Sequence, residues 1–210
     1  KGYNEFKMAL ALDLRQVQSV EHGGDEIDNV VNEYVQALQD TAKLLDRTLL
    51  EAATLALHQA QSVQIYGVAA SAILGEYLHY KLLRLGKPAQ LFSDMHRAAM
   101  NATTLSKNTF VVAISSSGST RDLLHVVKLA RKHGVRVLAL SNTPRSPLAS
   151  LSDIQLVAAK PEGPLSAGAL NAKVGVMLLV ELLTTSLIAL DHKYSDVSQQ
   201  TASATLPLLL

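Results

Sequence analysis

Short runs of apolar, β-forming residues alternate with amphipathic segments over residues 63–158. The apolar runs cover residues 63–66, 89–92, 110–114, 135–140 and 154–158. Between several of them, apolar residues recur three and four positions apart, which is the spacing of one helix face. Alternating strands and helices are typical of a parallel sheet with helices packed on its faces. The pattern therefore predicts an α/β fold around a five-stranded parallel sheet.

Helical patterns also precede and follow this region. Val31, Tyr34 and Val35 lie on one face of a predicted helix of core or dimer type. Thr48 and Glu51 form a capping-box signature, so a second helix is predicted to begin there and to continue to about residue 61. Later helices are predicted to end at residues 85, 105, 133 and 190. Residues 191–210, rich in Ser, Gln and Thr, are expected to be loose.

A hydroxyl-rich turn follows the strand predicted at 110–114. Its residues are Ser115, Ser116, Ser117, Gly118, Ser119 and Thr120. Hydroxyl groups and backbone N–H groups at the start of a helix can hold a phosphate or another small anion. A plainer interpretation is that Ser119 only caps the helix, with Asp122 three residues later. Capping needs one hydroxyl and the turn carries five, which favours anion binding.

A second turn from a strand into a helix covers residues 67–71. Gly67 and Ser71 there are, taken alone, more typical of a tight turn with a capping serine. In open α/β sheets, however, small ligands bind beyond the carboxyl ends of the strands, near the switch in strand order. Both turns open on that side, so they can converge on one ligand.

Composition narrows the possible functions. The 210 residues are 48% hydrophobic and 18% charged, with a net charge of +1, which gives no general attraction to nucleic acid or anionic membranes. There is no cysteine, which excludes disulfides and thiolate catalysis and suits the cytoplasm. The seven histidines lack a metal-ligand spacing, and Glu181 interrupts the most apolar stretch, residues 174–190. We therefore expect no cofactor, no metal and no membrane span.

Five motifs occur in an order that is similar to a known family. They are residues 67–71, 81–86, 92–94, 115–124 and 141–148. Together they resemble the SIS (sugar isomerase) domain of RpiR-type bacterial transcriptional regulators, over about residues 35–190. Residues 2–7 look like the closing helix of that family's N-terminal helix-turn-helix domain. This resemblance makes the chain a regulator that lacks most of its DNA-reading part.

The resemblance implies a flavodoxin-like three-layer sandwich with an N-terminal helical extension. Its expected divisions are residues 1–30 as the end of a helix-turn-helix domain plus linker, 31–192 as the SIS domain and 193–210 as a flexible tail. The implied function is to sense a phosphosugar or sugar-acid phosphate and to adjust DNA binding through the missing N-terminal domain. The implied assembly is a cytoplasmic homodimer or homotetramer.

The resemblance also assigns roles within the two turns. Ser115, Ser117 and Thr120 would hold the phosphate, backbone N–H groups of 116–119 would assist, and Ser71 would approach the sugar. Many relatives have an Arg-Ser pair directly before the last long helix, where this chain has Ser166-Ala167. Since a guanidinium that could bind a phosphate or carboxylate is missing there, the identity of the phosphosugar stays open.

An isomerase is the main alternative function, because phosphosugar isomerases share the fold. Their chemistry needs a base that moves a proton between adjacent carbons. The candidates are Glu76, His79, His96, Glu162 and Glu181. Each also has a plainer structural interpretation, and together they form no recognisable catalytic set. We therefore expect a sensor without catalytic residues, and a purely structural dimerisation module would leave the hydroxyl cluster unexplained.

Overall fold

The computed structural model describes Lys7 and residues 25–159 and 170–208. The strands are β1 Ser62–Gly67, β2 Ala89–Phe92, β3 Thr109–Ile114, β4 Arg136–Ser141 and β5 Ile154–Val157. The helices are α1 Glu26–Leu44, α2 Arg47–Gln59, α3 Ala70–Arg84, α4 Met95–Ala102, α5 Arg121–Arg131, α6 Leu170–Leu190 and α7 Lys193–Thr205. Short 3₁₀ turns cover Ala149–Leu151 and Leu206–Leu208.

All five strands are parallel and lie in the order β2-β1-β3-β4-β5. The order reverses between β1 and β3, which are neighbours with Gly67 opposite Ile114. The chain leaves these two strands toward opposite faces of the sheet, which opens a crevice at their carboxyl ends. This confirms the predicted α/β fold and places both hydroxyl-bearing turns at the switch point.

The sheet is buried on both faces, which explains why its strands are continuous apolar runs. Ile65 and Leu138 belong to a core shared with α2, α3 and α6. Tyr66 and Val111 belong to a second core shared with α4 and α5. The result is the expected three-layer sandwich.

Several helix boundaries differ from the sequence prediction by a few residues. Asp46, rather than Thr48, is the N-cap of α2, and its carboxylate accepts hydrogen bonds from the N–H groups of Thr48 and Leu49. Helix α4 begins after its N-cap Asp94 but ends at Ala102, three residues before the predicted end. The helix α2 begins earlier than predicted because aspartate is a stronger N-cap residue than threonine, and Asp46 lies two residues before Thr48.

Helix α6 passes through the core. By length and composition alone, residues Ala172–Leu190 could span a membrane. In the folded domain, however, the side chains on one side of this helix are completely buried: Leu179, Val180, Leu183 and Leu187. Burial against the sheet and its neighbouring helices accounts for the apolar composition of that side.

The predicted loose tail is wrong for residues 193–208. Lys193–Thr205 is the helix α7, and Tyr194 is buried in the core, where its hydroxyl lies 3.1 Å from His58 Nδ1 of α2. Arg84 donates hydrogen bonds to the Thr201 hydroxyl at 3.1 Å and to the Ser198 carbonyl at 3.2 Å. Polar composition suggested disorder here, but contacts with α3 that are distant in sequence hold the helix in place.

Only a narrow side of helix α1 is buried against the domain. Ala37 and Thr41 are its buried residues, whereas five large apolar side chains are exposed: Ile27, Val30, Val31, Val35 and Leu44. The predicted face around Val31 and Val35 is therefore not part of the core of this chain. Residues 1–30 were predicted to be the end of a helix-turn-helix domain plus a linker. Of these, only Lys7 and residues 25–30 are among the described residues.

Candidate functional site

The hydroxyl-rich turn connects β3 to α5 through a left-handed glycine. Gly118 has a φ of +60°, a conformation that favours glycine. A Cβ atom added there would lie 2.2 Å from Ser146 Oγ, because the loop after β4 packs directly on the turn. Gly118 thus has no room for a side chain, and its backbone is held between two loops.

The hydroxyls of the turn divide into buried and exposed groups. Ser115 Oγ is buried, accepts a hydrogen bond from the Gly118 N–H at 3.1 Å and lies 3.2 Å from Thr120 Oγ1. Ser117 and Ser119 are exposed. Ser117 Oγ accepts from the Ser119 N–H at 3.2 Å, and Ser119 Oγ donates to the Ser117 carbonyl at 3.3 Å. Ser115 therefore shapes the turn, while Ser117 and Ser119 face outward.

The capping interpretation of Ser119 is wrong. Thr120 is the N-cap residue of α5, and no side-chain hydrogen bond caps the helix. The first N–H groups of a helix have no partner within the helix, and they lie at the positive end of its dipole. The start of α5 therefore keeps its capacity to bind an anion.

Lys173 brings a positive charge to the turn, which the sequence analysis missed. It lies in the first turns of α6, is 7% exposed, and donates a hydrogen bond from Nζ to Ser116 Oγ at 2.8 Å. A lysine flanked by apolar residues at the start of a core helix could have signalled this role. Buried cations are rare in proteins unless they are paired or functional.

The turn is also joined to the loop after β4. The Ser116 carbonyl accepts hydrogen bonds from the Asn142 N–H at 3.0 Å and from the Thr143 hydroxyl at 3.1 Å. The Leu148 N–H donates to the Gly118 carbonyl at 3.0 Å. The Gly118 and Ser119 N–H groups are also bonded within the turn, so the groups that can face a ligand are the first N–H groups of α5 and the exposed Ser117 hydroxyl.

The first turn lies beside the second, since β1 and β3 are paired. A Cβ atom added to Gly67 would lie 2.8 Å from the Ser71 carbonyl oxygen, so the turn is as tight as predicted. Ala69 has φ 50° and ψ −125°, a conformation that is strained for an L-residue. The Ser71 side chain is half-buried. The turn from Gly67 to Ser71 thus lies at the carboxyl edge of the sheet, beside the end of β3.

The candidate bases are dispersed. His79 Nε2 lies 3.1 Å from the Ala89 carbonyl, at the amino end of β2 and away from the crevice. Glu181 is bound to Tyr77 and Lys81. Glu76 is exposed on α3, and His96 is exposed in the first turn of α4, after the carboxyl end of β2. The structure therefore does not assemble a catalytic set from these four residues.

Other predicted features lie outside the described residues, including Glu162 and the Ser166-Ala167 pair. Within residues 25–159 and 170–208, no group of three or more His, Asp or Glu side chains could hold a metal ion. Hydroxyl groups, backbone N–H groups and one buried ammonium group characterise the described part of the site.

The fold defines this chain as a doubly wound α/β domain with a hydroxyl-rich turn at its switch point. The SIS domain family matches residues 56–186, which is more than half of the chain. The chain therefore belongs to the SIS domain family, as its motifs predicted.

Relatives of the chain include transcriptional regulators. An uncharacterised HTH-type transcriptional regulator of Caldanaerobacter subterraneus subsp. tengcongensis is 28% identical over 205 residues, covering 94% of this chain and 72% of the relative. The structure of Vibrio vulnificus NanR complexed with ManNAc-6P has a TM-score of 0.89 and 46% identity, covering 97% of this chain and 75% of NanR.

A more distant solved structure shows the same fold. The sugar isomerase domain of the RpiR transcription factor from Sphaerobacter thermophilus has a TM-score of 0.77 and 22% identity, covering 86% of this chain and 99% of that domain. At this identity the likeness concerns the fold alone.

Proposed function

We propose that this chain is the phosphosugar-sensing part of a DNA-binding transcriptional regulator. In this proposal the phosphate binds at the turn between β3 and α5, and the sugar extends toward Ser71. The protein binds its effector without converting it. Such a regulator acts in the cytoplasm of a bacterium, where its DNA and its metabolite are both present.

The buried ammonium group of Lys173 is the observation that carries this proposal. It lies 2.8 Å from Ser116 Oγ, within the same turn whose helix start has no side-chain cap. A phosphate placed there would meet a positive charge, backbone N–H groups and hydroxyls together. Hydrogen bonds between charged partners are about twice as strong as neutral ones, so this combination favours a dianion.

The roles of the hydroxyls follow from their exposure. Ser117 is exposed and Thr120 is half-buried, so both can donate to a phosphate at the surface of the turn. Ser115 is buried and already supports the Gly118 N–H, so we assign it mainly to the shape of the site. Ser116 accepts the hydrogen bond from Lys173 Nζ and so holds the ammonium group beside the turn. Ser71, in the neighbouring turn, is placed to contact the sugar.

The relatives support both halves of the proposal. NanR, which shares 46% of its aligned residues with this chain, was solved with ManNAc-6P bound. The regulator from Caldanaerobacter is an HTH-type protein, and this chain covers 72% of its length. We propose that residues 31–192 are the sensor and that DNA is contacted through a helix-turn-helix domain to which residues 1–30 are the connection.

Calorimetry tests the role of Lys173. We expect ManNAc-6P to bind and its unphosphorylated sugar to bind far more weakly. Lys173→Met should weaken ManNAc-6P binding at least tenfold, since a charge-assisted hydrogen bond contributes about 1.5–3 kcal/mol and 1.4 kcal/mol is a factor of ten. Lys107→Met is the matched control, because Lys107 is exposed just before β3, at the opposite end of the sheet.

Several sugar phosphates should be compared in the same experiment. If no sugar phosphate binds, or if Lys173→Met binds as tightly as Lys107→Met, the site is not the one proposed. A melting curve of each variant shows whether the fold is intact.

Turnover separates the sensor from an isomerase. Of the four described candidate bases, His79 and Glu181 have structural partners. We expect NMR spectra of aldose and ketose phosphates to stay unchanged during incubation with the protein. Interconversion that is lost in His96→Gln or Glu162→Gln would identify an isomerase instead.

A further inference from the structure

We propose that Thr41 and Asn142 are positioning residues that join the phosphate-binding turn to helix α1. Through them, occupancy of the site changes how firmly α1 is seated on the domain. This inference rests on the proposed function, since it names the route by which the effector acts on the N-terminal side of the protein.

Helix α1 is seated on the domain through few buried side chains. Its buried residues are Ala37 and Thr41, and both are completely buried. Thr41 packs against Gly175 of α6, where an added Cβ atom would lie 2.6 Å from Thr41 Oγ1 and 3.0 Å from the Ala158 Cβ atom. The two helices thus approach closely at one point. A shift of a few tenths of an ångström at this point would loosen α1.

One hydrogen bond fixes that point to the end of the sheet. Thr41 Oγ1 accepts from the Ala159 N–H at 3.0 Å and donates to the Ala37 carbonyl at 2.7 Å. Ala159 follows β5 at its carboxyl end, which is the ligand side of the sheet. The seating of α1 therefore depends on the position of the backbone at Ala159.

Asn142 connects Ala159 to the phosphate-binding turn. Its side-chain Nδ2 donates to the Ala159 carbonyl at 2.9 Å and to the Ala172 carbonyl at 3.0 Å. Its backbone N–H donates to the Ser116 carbonyl at 3.0 Å. Ala172 directly precedes Lys173. A single asparagine thus touches the turn, the start of α6 and the residue that holds α1.

The Asn142 side chain is also incompletely satisfied. Its Oδ1 atom is buried and has no hydrogen-bond partner in the part of the chain that the structure describes. A buried acceptor without a partner destabilises the arrangement that leaves it unpaired. An asparagine in that position is poised to reorganise when a ligand at the turn displaces Ser116 or Lys173, and any such movement is passed to Ala159.

Hydrogen exchange in three threonine variants tests this connection. Thr41→Val removes the hydroxyl but keeps the shape, Thr41→Ser keeps the hydroxyl, and Thr54→Val is the matched control. Thr54 is a buried helix residue whose hydroxyl donates to the Leu50 carbonyl on α2, away from the site. In the wild type, ManNAc-6P should slow exchange of the amides at 38–45 about fivefold or more.

Thr41→Val should reduce that ligand effect at least about twofold. Thr41→Ser and Thr54→Val should preserve it. If Thr41→Val responds to ManNAc-6P as Thr54→Val does, the connection through Thr41 does not exist.

A second arm needs no ligand and so separates this inference from the proposed function. Asn142→Ala should speed exchange at 38–45, and Thr41→Val should speed exchange of the Gly118 and Asn142 amides. If each variant changes exchange at the other residue's segment but no sugar phosphate binds, the connection is supported and the proposed sensor function is rejected. If a sugar phosphate binds but each variant changes exchange only near its own position, the sensor function is supported and the connection is rejected.

Discussion

At the scale of single residues, neighbouring serines of one turn have different tasks. Ser115 is buried and holds the Gly118 N–H, whereas Ser117 and Ser119 are exposed at the start of α5. The sequence suggested that one of them, Ser119, caps the helix. The structure gives the N-cap position to Thr120 without a side-chain cap, so the hydroxyl of Ser119 is not needed for helix stability.

Replacing Ser117 with alanine should therefore affect ligand binding more than folding. If the Ser117 hydroxyl donates to a dianionic phosphate, Ser117→Ala should weaken phosphosugar binding by roughly ten- to a hundredfold. Ser119→Ala is the matched control, because it removes an exposed hydroxyl two residues away. Its free energy of unfolding should change by less than about 0.5 kcal/mol, as at most surface positions.

Calorimetry and melting temperatures of both variants check this prediction. Equal affinities for Ser117→Ala and wild type would mean that the phosphate is not bound by this hydroxyl. A large loss of stability in Ser119→Ala would restore the capping interpretation.

At the scale of elements, a polar contact joins α3 to α6 outside the site. The Tyr77 hydroxyl donates to one oxygen of the Glu181 carboxylate, and Lys81 Nζ lies 3.0 Å from the other. The hydrogen bond from Tyr77 is the main reason why the pKa of Glu181 is lowered, and the same bond raises the pKa of Tyr77 to about 12. Glu181, once a candidate base, thus serves to hold two helices together.

The lowered pKa of Glu181 makes this contact sensitive to acid. A carboxyl group whose pKa is lower in the folded state contributes stability above its unfolded pKa. That contribution is lost as the pH falls below the ordinary value of 4.5 and through the folded pKa. Glu181→Gln should therefore lower the free energy of unfolding at pH 7, and the difference from wild type should shrink below pH 4.5.

Urea unfolding at pH 7 and near pH 3.5 measures this difference. Glu76→Gln, an exposed position on α3, is the control and should be nearly neutral at both pH values. A Glu181→Gln effect that is the same at both pH values would show that the ionised carboxylate does not stabilise the packing of α3 on α6.

At the scale of the whole molecule, the exposed apolar side of α1 is a candidate protein–protein interface. Ile27, Val31 and Val35 are among its exposed residues, at 69%, 52% and 44%. Contiguous apolar surface of this kind marks an interaction site more often than free surface. The helix pattern predicted from sequence allowed a core or a dimer role, and the structure excludes the core role within this chain. We propose a second copy of the chain as the partner.

The chain should therefore be at least a dimer at micromolar concentration. Light scattering measures the mass directly, and Val31→Glu should shift the equilibrium toward monomer because it places a charge in the apolar face. Met100→Glu is the control, since Met100 is exposed on α4, on the opposite side of the sheet. A monomeric wild type, or equal effects of the two substitutions, would show that α1 is not the interface.

The sequence by itself determined the order of the five strands and of helices α1 to α6 along the chain, the α/β class and the position of both ligand-side turns. Each of these depends on residues close together in sequence, such as the apolar run 110–114 followed directly by the hydroxyls of 115–120. The ordered motifs also sufficed to identify the SIS family, because each motif is local and their order is specific.

Only the tertiary structure decided which residues meet. Lys173 reaches Ser116 from 57 positions away, and Thr41 meets Ala159 across 118 positions, so no local pattern contains either contact. The same reason explains the error at α7, which is held by distant contacts with α3. It also explains why the sequence left the role of α1 open, since its buried side is set by contact with Gly175. Local propensity places the turns of this fold, whereas long-range packing decides which charge lies beside them.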